Sequence, residues 1–307
     1  MDVKINGVDV SRLVTDLTWS GDKSQAARKL VVELIQDDRD ERLPQIDFDN
    51  NYSIETAFFA GNIYEIERDR AKSTVKLTCF DDLFRLNRNK VTKKYAEATA
   101  EEIGREMCGL MGIEAGEMAE TGEKVTFIAN NKTYYQIIMM GYGEAHKKNE
   151  RQYQCVMDGR KLNVVEKGSL CGVELDSAKN MTESIYRESI AELVNKVLIT
   201  DSEGNQIGEA IEDIESQEKY GRYQVLYKEQ KDKNTAEEGK NLLKKPKREG
   251  YVTALGDIRA KAGYSLIIKD ALFKGQFWIE TDTHHFRDGY HEMRLKLEFE
   301  NKMAEEK

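Results

Sequence analysis

Two apolar alternations flank Arg287-Asp288-Gly289 in the stretch 277–299. A period of two is the pattern of half-buried strands, and a short Asp/Gly break between two such runs marks a hairpin. This stretch constrains the fold more than any other, because a lone strand pair with one apolar face is not stable without further sheet around it. With a three-residue loop, Phe286 faces Tyr290, His285 faces His291, and Thr283 faces Met293. Thr281 then meets Leu295, Ile279 meets Leu297, and Phe277 meets Phe299. One face is apolar along nearly its whole length. The other pairs His284 with Glu292, Asp282 with Arg294 and Glu280 with Lys296, all of compatible charge.

The same register bears on chemistry, since three of the four histidines lie here. It sets His284 on the face opposite His285 and His291, so the three imidazoles do not converge on one metal ion. His291-Glu292-Met293-Arg294-Leu295 also lacks the second histidine of a zinc-protease helix. Structural histidines are expected, and no metal site.

Upstream, residues 3–80 show further strand patterns in Val14-Leu17-Trp19, Leu30-Val32-Leu34 and Val75-Leu77-Cys79. Breaks at Gly21-Asp22-Lys23, at residues 37–40 and at residues 47–51 separate them, giving a compact sheet or barrel of about six strands. The pattern changes at Thr99-Ala100-Glu101-Glu102, a capping-box start, with Ile103, Met107, Leu110 and Met111 at helical spacing before Gly112. A second helix begins near Asn131 or Thr133. A hairpin follows around Asp158-Gly159. Strands return after Val173, a short helix ends at Tyr220-Gly221, and a helix over about 234–245 is capped by Asn234 and stopped by Pro246. The expected fold is mainly β with a small α+β insert over 93–172 set between β-rich regions over 1–92 and 173–307.

Composition narrows the function. At 307 residues there is room for about two domains. Acidic residues outnumber basic ones, 56 against 47, for a net charge of −9. That sign disfavours a nucleic-acid surface. The start carries neither a basic n-region nor an apolar h-region, which predicts no secretory signal, and no apolar run approaches the ~18 residues that span a bilayer. Cys79, Cys108, Cys155 and Cys171 form no C-x-x-C pair and are expected to be reduced thiols.

No catalytic or cofactor-binding constellation emerges. Gly141-Tyr142-Gly143 follows a helix and lacks the third glycine of a dinucleotide loop. In the stretch 168–172 a leucine, Leu170, stands at the centre where a nucleophile turn has serine, so a linker is expected. Glu65, Glu67 and Asp69 alternate along a strand as a solvated face does. Lys244-Lys245-Pro246-Lys247-Arg248 reads as a helix end and turn rather than a nucleic-acid patch. Trp19 and Trp278 sit inside strand patterns and are expected to pack. The reading is of a non-enzymatic protein.

The order of motifs resembles the XkdQ/YqbQ family of baseplate hub proteins from contractile phage tails and phage-tail-like particles. It rests on residues 14–20, Ala26-Ala27-Arg28-Lys29-Leu30, Phe59-Ala60-Gly61-Asn62-Ile63 and Leu77-Thr78-Cys79-Phe80-Asp81. It continues through residues 99–113, 134–162 and Leu193-Val194-Asn195-Lys196-Val197. Leu255-Gly256-Asp257, Ala262-Gly263-Tyr264, Gly275-Gln276-Phe277 and the final hairpin complete it. A departure falls at residues 48–52, where such proteins often carry Gly-Asp. The resemblance implies two tube-like antiparallel β-barrel or sandwich domains per chain, over 1–92 and 173–307, flanking the inserted domain over 93–172. It also implies a homotrimeric ring of six similar β-domains joining a six-fold tail tube to a three-fold spike, without cofactors. Its implied partners are tail tube, spike, tape-measure, baseplate wedge and LysM-type adaptor proteins, with no membrane and no sequence-specific nucleic acid. Synthesis in the bacterial cytoplasm and a final place in the baseplate follow from it. The rival readings are a peptidoglycan-cleaving tail component and a wall-binding module using residues 93–172. Strand edges near 30–36 and 194–200 are the expected ring contacts.

Overall fold

The computed structural model describes residues 2–37, 40, 43–44, 46–49, 52–230 and 234–299. Parts of the expected breaks at 37–40 and 47–51, and of the motif departure at 48–52, lie outside the described residues. The chain divides into two units, one of residues 1–185 with 251–307 and one of residues 186–250. It is mainly β, with a curled sheet and few helices.

The first seven strands are β1 (Val3–Ile5), β2 (Val8–Asp9), β3 (Val14–Asp22), β4 (Lys29–Ile35), β5 (Ser53–Thr56), β6 (Ala60–Asp69) and β7 (Thr74–Phe80), followed by the short helix α1 (Leu83–Leu86). The sequence alternation becomes geometry here. Leu17, Trp19, Leu30, Val32, Leu34, Val75, Leu77 and Cys79 all point into one core, while Glu65 and Glu67 lie exposed on the opposite, concave face of the sheet. Burying apolar side chains at about 25 cal/mol per Å² is what drives this side to close.

The middle of the chain supplies β8 (Lys90–Thr99), α2 (Ala100–Met111), β9 (Glu114–Met118), β10 (Lys124–Thr133), α3 (Tyr134–Asn149), β11 (Tyr153–Asp158) and β12 (Lys161–Glu166). Both long helices start as the sequence dictates. Thr99 caps α2 and Thr133 caps α3, each with a reciprocal bond from Glu102 or Gln136, and Gly112 ends α2 in the left-handed conformation. Their apolar faces form a separate core with β8 to β12, to which Leu83 and Leu86 of α1 contribute.

After β13 (Leu170–Asp176) and β14 (Met181–Ser189) come β15 (Lys196–Thr200), β16 (Ile211–Glu212), α4 (Ile214–Tyr220), β17 (Gln224–Lys228) and α5 (Thr235–Asn241), then β18 (Lys247–Leu255), β19 (Ser265–Lys269), β20 (Lys274–Arg287) and β21 (Tyr290–Glu298). A third core gathers Val173, Leu175, Val252, Leu266, Ile268, Phe273, Ile279, Leu295 and Leu297. The sheet runs β14-β18-β21-β20-β3-β4-β7-β6-β5-β1-β2, with β13 and β19 branching from β20. One strand therefore serves two cores, with Phe286 in the first and Ile279 in the third. The first half of β20 pairs with β19 and its second half pairs with β3, while β21 follows it on the other side.

Residues 186–250 form their own small sheet, β16-β15-β17, over Leu193, Val197 and Tyr227. Its pin is Asn195, fully buried. Its amide donates to the Gly221 carbonyl at 2.8 Å, and its side-chain oxygen accepts the Tyr223 N–H at 2.8 Å. The expected helix capped by Asn234 is shorter than read, ending at Asn241.

Candidate functional site

The hairpin is present, but its loop has two residues rather than three. Asp288 and Gly289 both adopt positive φ, 51° and 78°. Such a turn matches the right-handed twist of the flanking strands. Arg287 pairs with Tyr290, Phe286 with His291, His285 with Glu292 and His284 with Met293. The expected pairs return below an irregularity at Glu280, where Ile279 meets Leu297. Phe277 and Phe299 touch edge to face at 5.7 Å, and Lys296 donates to Glu280 at 3.0 Å. One extra residue in β20 shifts the register there.

This corrects the placement of the histidines. His284 and His291 share a face, with Nδ1 of one 3.1 Å from Nε2 of the other, and His285 points the opposite way to Asp16 at 2.7 Å. The Ala260 carbonyl lies 3.0 Å from His284 Nε2 and can only accept, so that nitrogen carries hydrogen. The His291 ring stacks on Phe286 at 3.9 Å. Its other side meets Gly256, where an added Cβ would fall 2.1 Å from ring carbons. Burial, then the charge of His284, pushes the His291 imidazole down to about 4. Among the described residues no group of three or more His, Cys, Asp or Glu is arranged to hold a metal ion.

Sequence reasoning missed the partner of this pair. Asp282, taken as a surface residue facing Arg294, is 1 % exposed. Arg28 grips it in a fork, Nη1 to Oδ1 at 2.9 Å and Nη2 to Oδ2. The Ala262 N–H donates to the same carboxylate at 2.6 Å, and His284 Nε2 stands 3.4 Å away. Burial raises this carboxyl, but Arg28 and His284 outweigh it and hold the group at about 2. The Arg28 guanidinium also lies over Trp19 at 3.9 Å. From Arg28 the polar chain continues, since its N–H donates to buried Asp81 at 3.1 Å. Next to it, buried Asp82 receives Arg160 Nη1 at 3.1 Å from the tip of the β11–β12 hairpin, and Arg160 Nη2 donates to the Gly61 carbonyl. Polar side chains thus join all three cores. The Ala26 to Leu30 motif carried the only available signal, an arginine preceding a strand.

The remaining candidates take ordinary structural places. Gly141 packs against α2, where an added Cβ would lie 3.3 Å from Ile103, and Tyr142 is buried with its hydroxyl donating to the Ala119 carbonyl. The segment at 168–172 leads into β13, with Leu170 exposed. Lys244 bridges Val194 and Lys247 opens β18. Trp19 is buried and Trp278 half-buried. Neither expected ring edge is an edge: β4 is paired by β3 and β7, and β15 by β16 and β17. The sheet ends instead at β2, β13 and β14. Val8, Leu170 and Ile185 are 58, 57 and 45 % exposed on these three strands. No helix is long and apolar enough to cross a membrane among the described residues.

A curled sheet with two apolar cores that meet at β20, together with a separate α+β core, is a fold shared with solved phage tail proteins. The chain belongs to the YQBQ-like family, whose model matches residues 17–298. It is 24 % identical to the phage-like element PBSX protein XkdQ of Bacillus subtilis over 245 residues, 76 % of this chain and 75 % of that one. Its fold is similar to the 43 kDa tail protein of prophage MuSo2 from Shewanella oneidensis, with a TM-score of 0.68, 14 % identity and 96 % of each chain covered. A tail protein from Neisseria meningitidis MC58 gives 0.66 at 11 % identity, over 99 % of this chain and 97 % of that one.

Proposed function

We propose that three copies of this chain close into a ring that adapts a six-fold tail tube to a three-fold spike. Each chain would contribute two β-modules, giving six similar positions around a channel. The observation that carries this is the sharing of β20 by two apolar cores of one curled sheet, with Phe286 in one core and Ile279 in the other. The division into 1–92, 93–172 and 173–307 belongs to this reading, and the three separate cores support it. Unpaired ladders at β2 and β14 favour closure, because a cyclic oligomer covers strand edges that a single chain leaves open. The concave polar face carrying Glu33, Glu65 and Glu67 is the one assigned to the channel.

In this role the protein is structural and performs no catalysis. Tube, spike, tape-measure, wedge and LysM-type adaptor proteins are its partners, and the baseplate is its place after synthesis in the bacterial cytoplasm. The test is electron microscopy of particles made without this protein. Tails lacking spike and closed baseplate are expected, and normal sheathed tails with spikes attached would overturn the proposal. Incubation with purified cell walls is expected to release no soluble fragments.

A further inference from the structure

A cavity of about 60 Å³ is lined by residues from the β3–β4 connection, the middle body and the β18–β19 connection, among them Arg28, Tyr153, Gln154, Lys261, Tyr264 and Lys167. Two side-chain donors on its wall lack acceptors among the described residues. Arg28 Nε and Gln154 Nε2 are buried and make no hydrogen bond. Lys261 has no carboxylate within ion-pair range among the described residues, and its ammonium instead lies 5.5 Å from the Tyr264 ring. Burial, then repulsion from Arg28, lowers its proton affinity. Lys167 has a side chain only 4 % exposed, and its ammonium lies 3.9 Å from Glu298. Burial and the neighbouring Lys23 bring it down to about 8.

The acidic groups along the same wall are already engaged. Asp81 accepts the Arg28 and Leu83 N–H groups, and Asp22 accepts the Ser24 N–H at 2.7 Å. Buried donors left without acceptors cost free energy. At about 60 Å³ the cavity exceeds the roughly 10–15 Å³ that a single water needs. We propose that the cavity binds one free oxyanion of the phosphate or sulfate class, which ties the two β-modules and the middle body together.

The experiment is thermal unfolding of the full chain in increasing sodium phosphate, with ionic strength held constant by sodium chloride. A saturable rise in unfolding temperature is expected, reproduced by sulfate and absent from Lys261→Met and Gln154→Glu. A rise that never saturates, or that both variants share, would mean general exclusion of the salt from the protein surface and would overturn the site. Broadening of the phosphorus-31 resonance of phosphate by the unaltered protein, reversed by sulfate, gives a readout that does not depend on the variants folding. No broadening would equally overturn the proposal, and water alone would then fill the cavity.

Discussion

Arg28 and Asp282 are separated by 254 positions in sequence and meet as a forked ion pair whose carboxylate is fully buried. The pair stands where β3 and β20 join, so one interaction spans the splice between the two β-modules. Removing one member leaves the other charged and dehydrated, which costs about 3–5 kcal/mol in buried pairs. Arg28→Ala is therefore expected to lower the unfolding free energy by that amount, read as a lower urea midpoint at an unchanged slope. Asp282→Asn should lose less, since its amide still accepts the Ala262 N–H.

Acid should act on the same place in two stages. The His291 imidazole titrates lower in the folded chain than in the unfolded one, so its contribution is complete above about pH 6.5 and is lost as pH falls toward 4. Asp282 is depressed from an ordinary carboxyl to about 2, and its contribution of about 2 kcal/mol disappears between pH 4 and 2. Unfolding temperature measured against pH is expected to fall across both windows. His291→Gln should flatten the upper one and leave the lower one unchanged.

Gly256 lies against the His291 ring with no room for a side chain. Gly256→Ala should cost about 1–3 kcal/mol through the displaced ring, in the range of overpacked cores. At the turn, Gly289→Ala should cost about 1 kcal/mol from its positive φ alone. Chemical denaturation of each variant separates the two effects.

Arg160 fastens the middle body to the first module through Asp82 and Gly61. Arg160→Ala is expected to remove about 1.5–3 kcal/mol, the range for hydrogen bonds to charged groups. Hydrogen exchange should show faster opening at α1 and in the β11–β12 hairpin, with the core of β4 and β7 unaffected.

The exposed Ile185 on edge strand β14 provides the test of assembly. Ile185→Lys is expected to change the stability of the isolated chain by less than about 0.5 kcal/mol, as at other surface sites. Particles produced with this variant should lack the protein on immunoblots if the strand edge is covered in the ring.

Much of this was legible in the sequence, and the failures share a cause. Thr99 and Thr133 announced their helices because capping is local, and the strands around Leu30 and Leu77 showed themselves through alternation. The hairpin was legible as a hairpin, while its register was not. With Thr281, Asp282 and Thr283 between the apolar ends, either face could be the inner one, and the extra residue at Glu280 let both registers hold in different halves. Asp282 is buried because Arg28 neutralises it, and nothing within twenty residues of either reports that. The ring-edge expectations failed for the same reason, since β4 and β15 acquire second neighbours from distant sequence. Gly256, Gly263 and Gly21 supplied or adjoined the resemblance motifs, and each stands where a side chain would strike His291, Gln154 or Arg28. Those motifs record packing rather than chemistry.

The splice at β20 also dictates when folding can finish. Residues 17–22 receive their second hydrogen-bonded neighbour only from residues 281–286, which follow them far along the chain. Until they are made the nascent amino-terminal sheet carries an open flank beside Trp19, a template for wrong pairing. A chain cut before residue 281 leaves that flank of β3 unpaired.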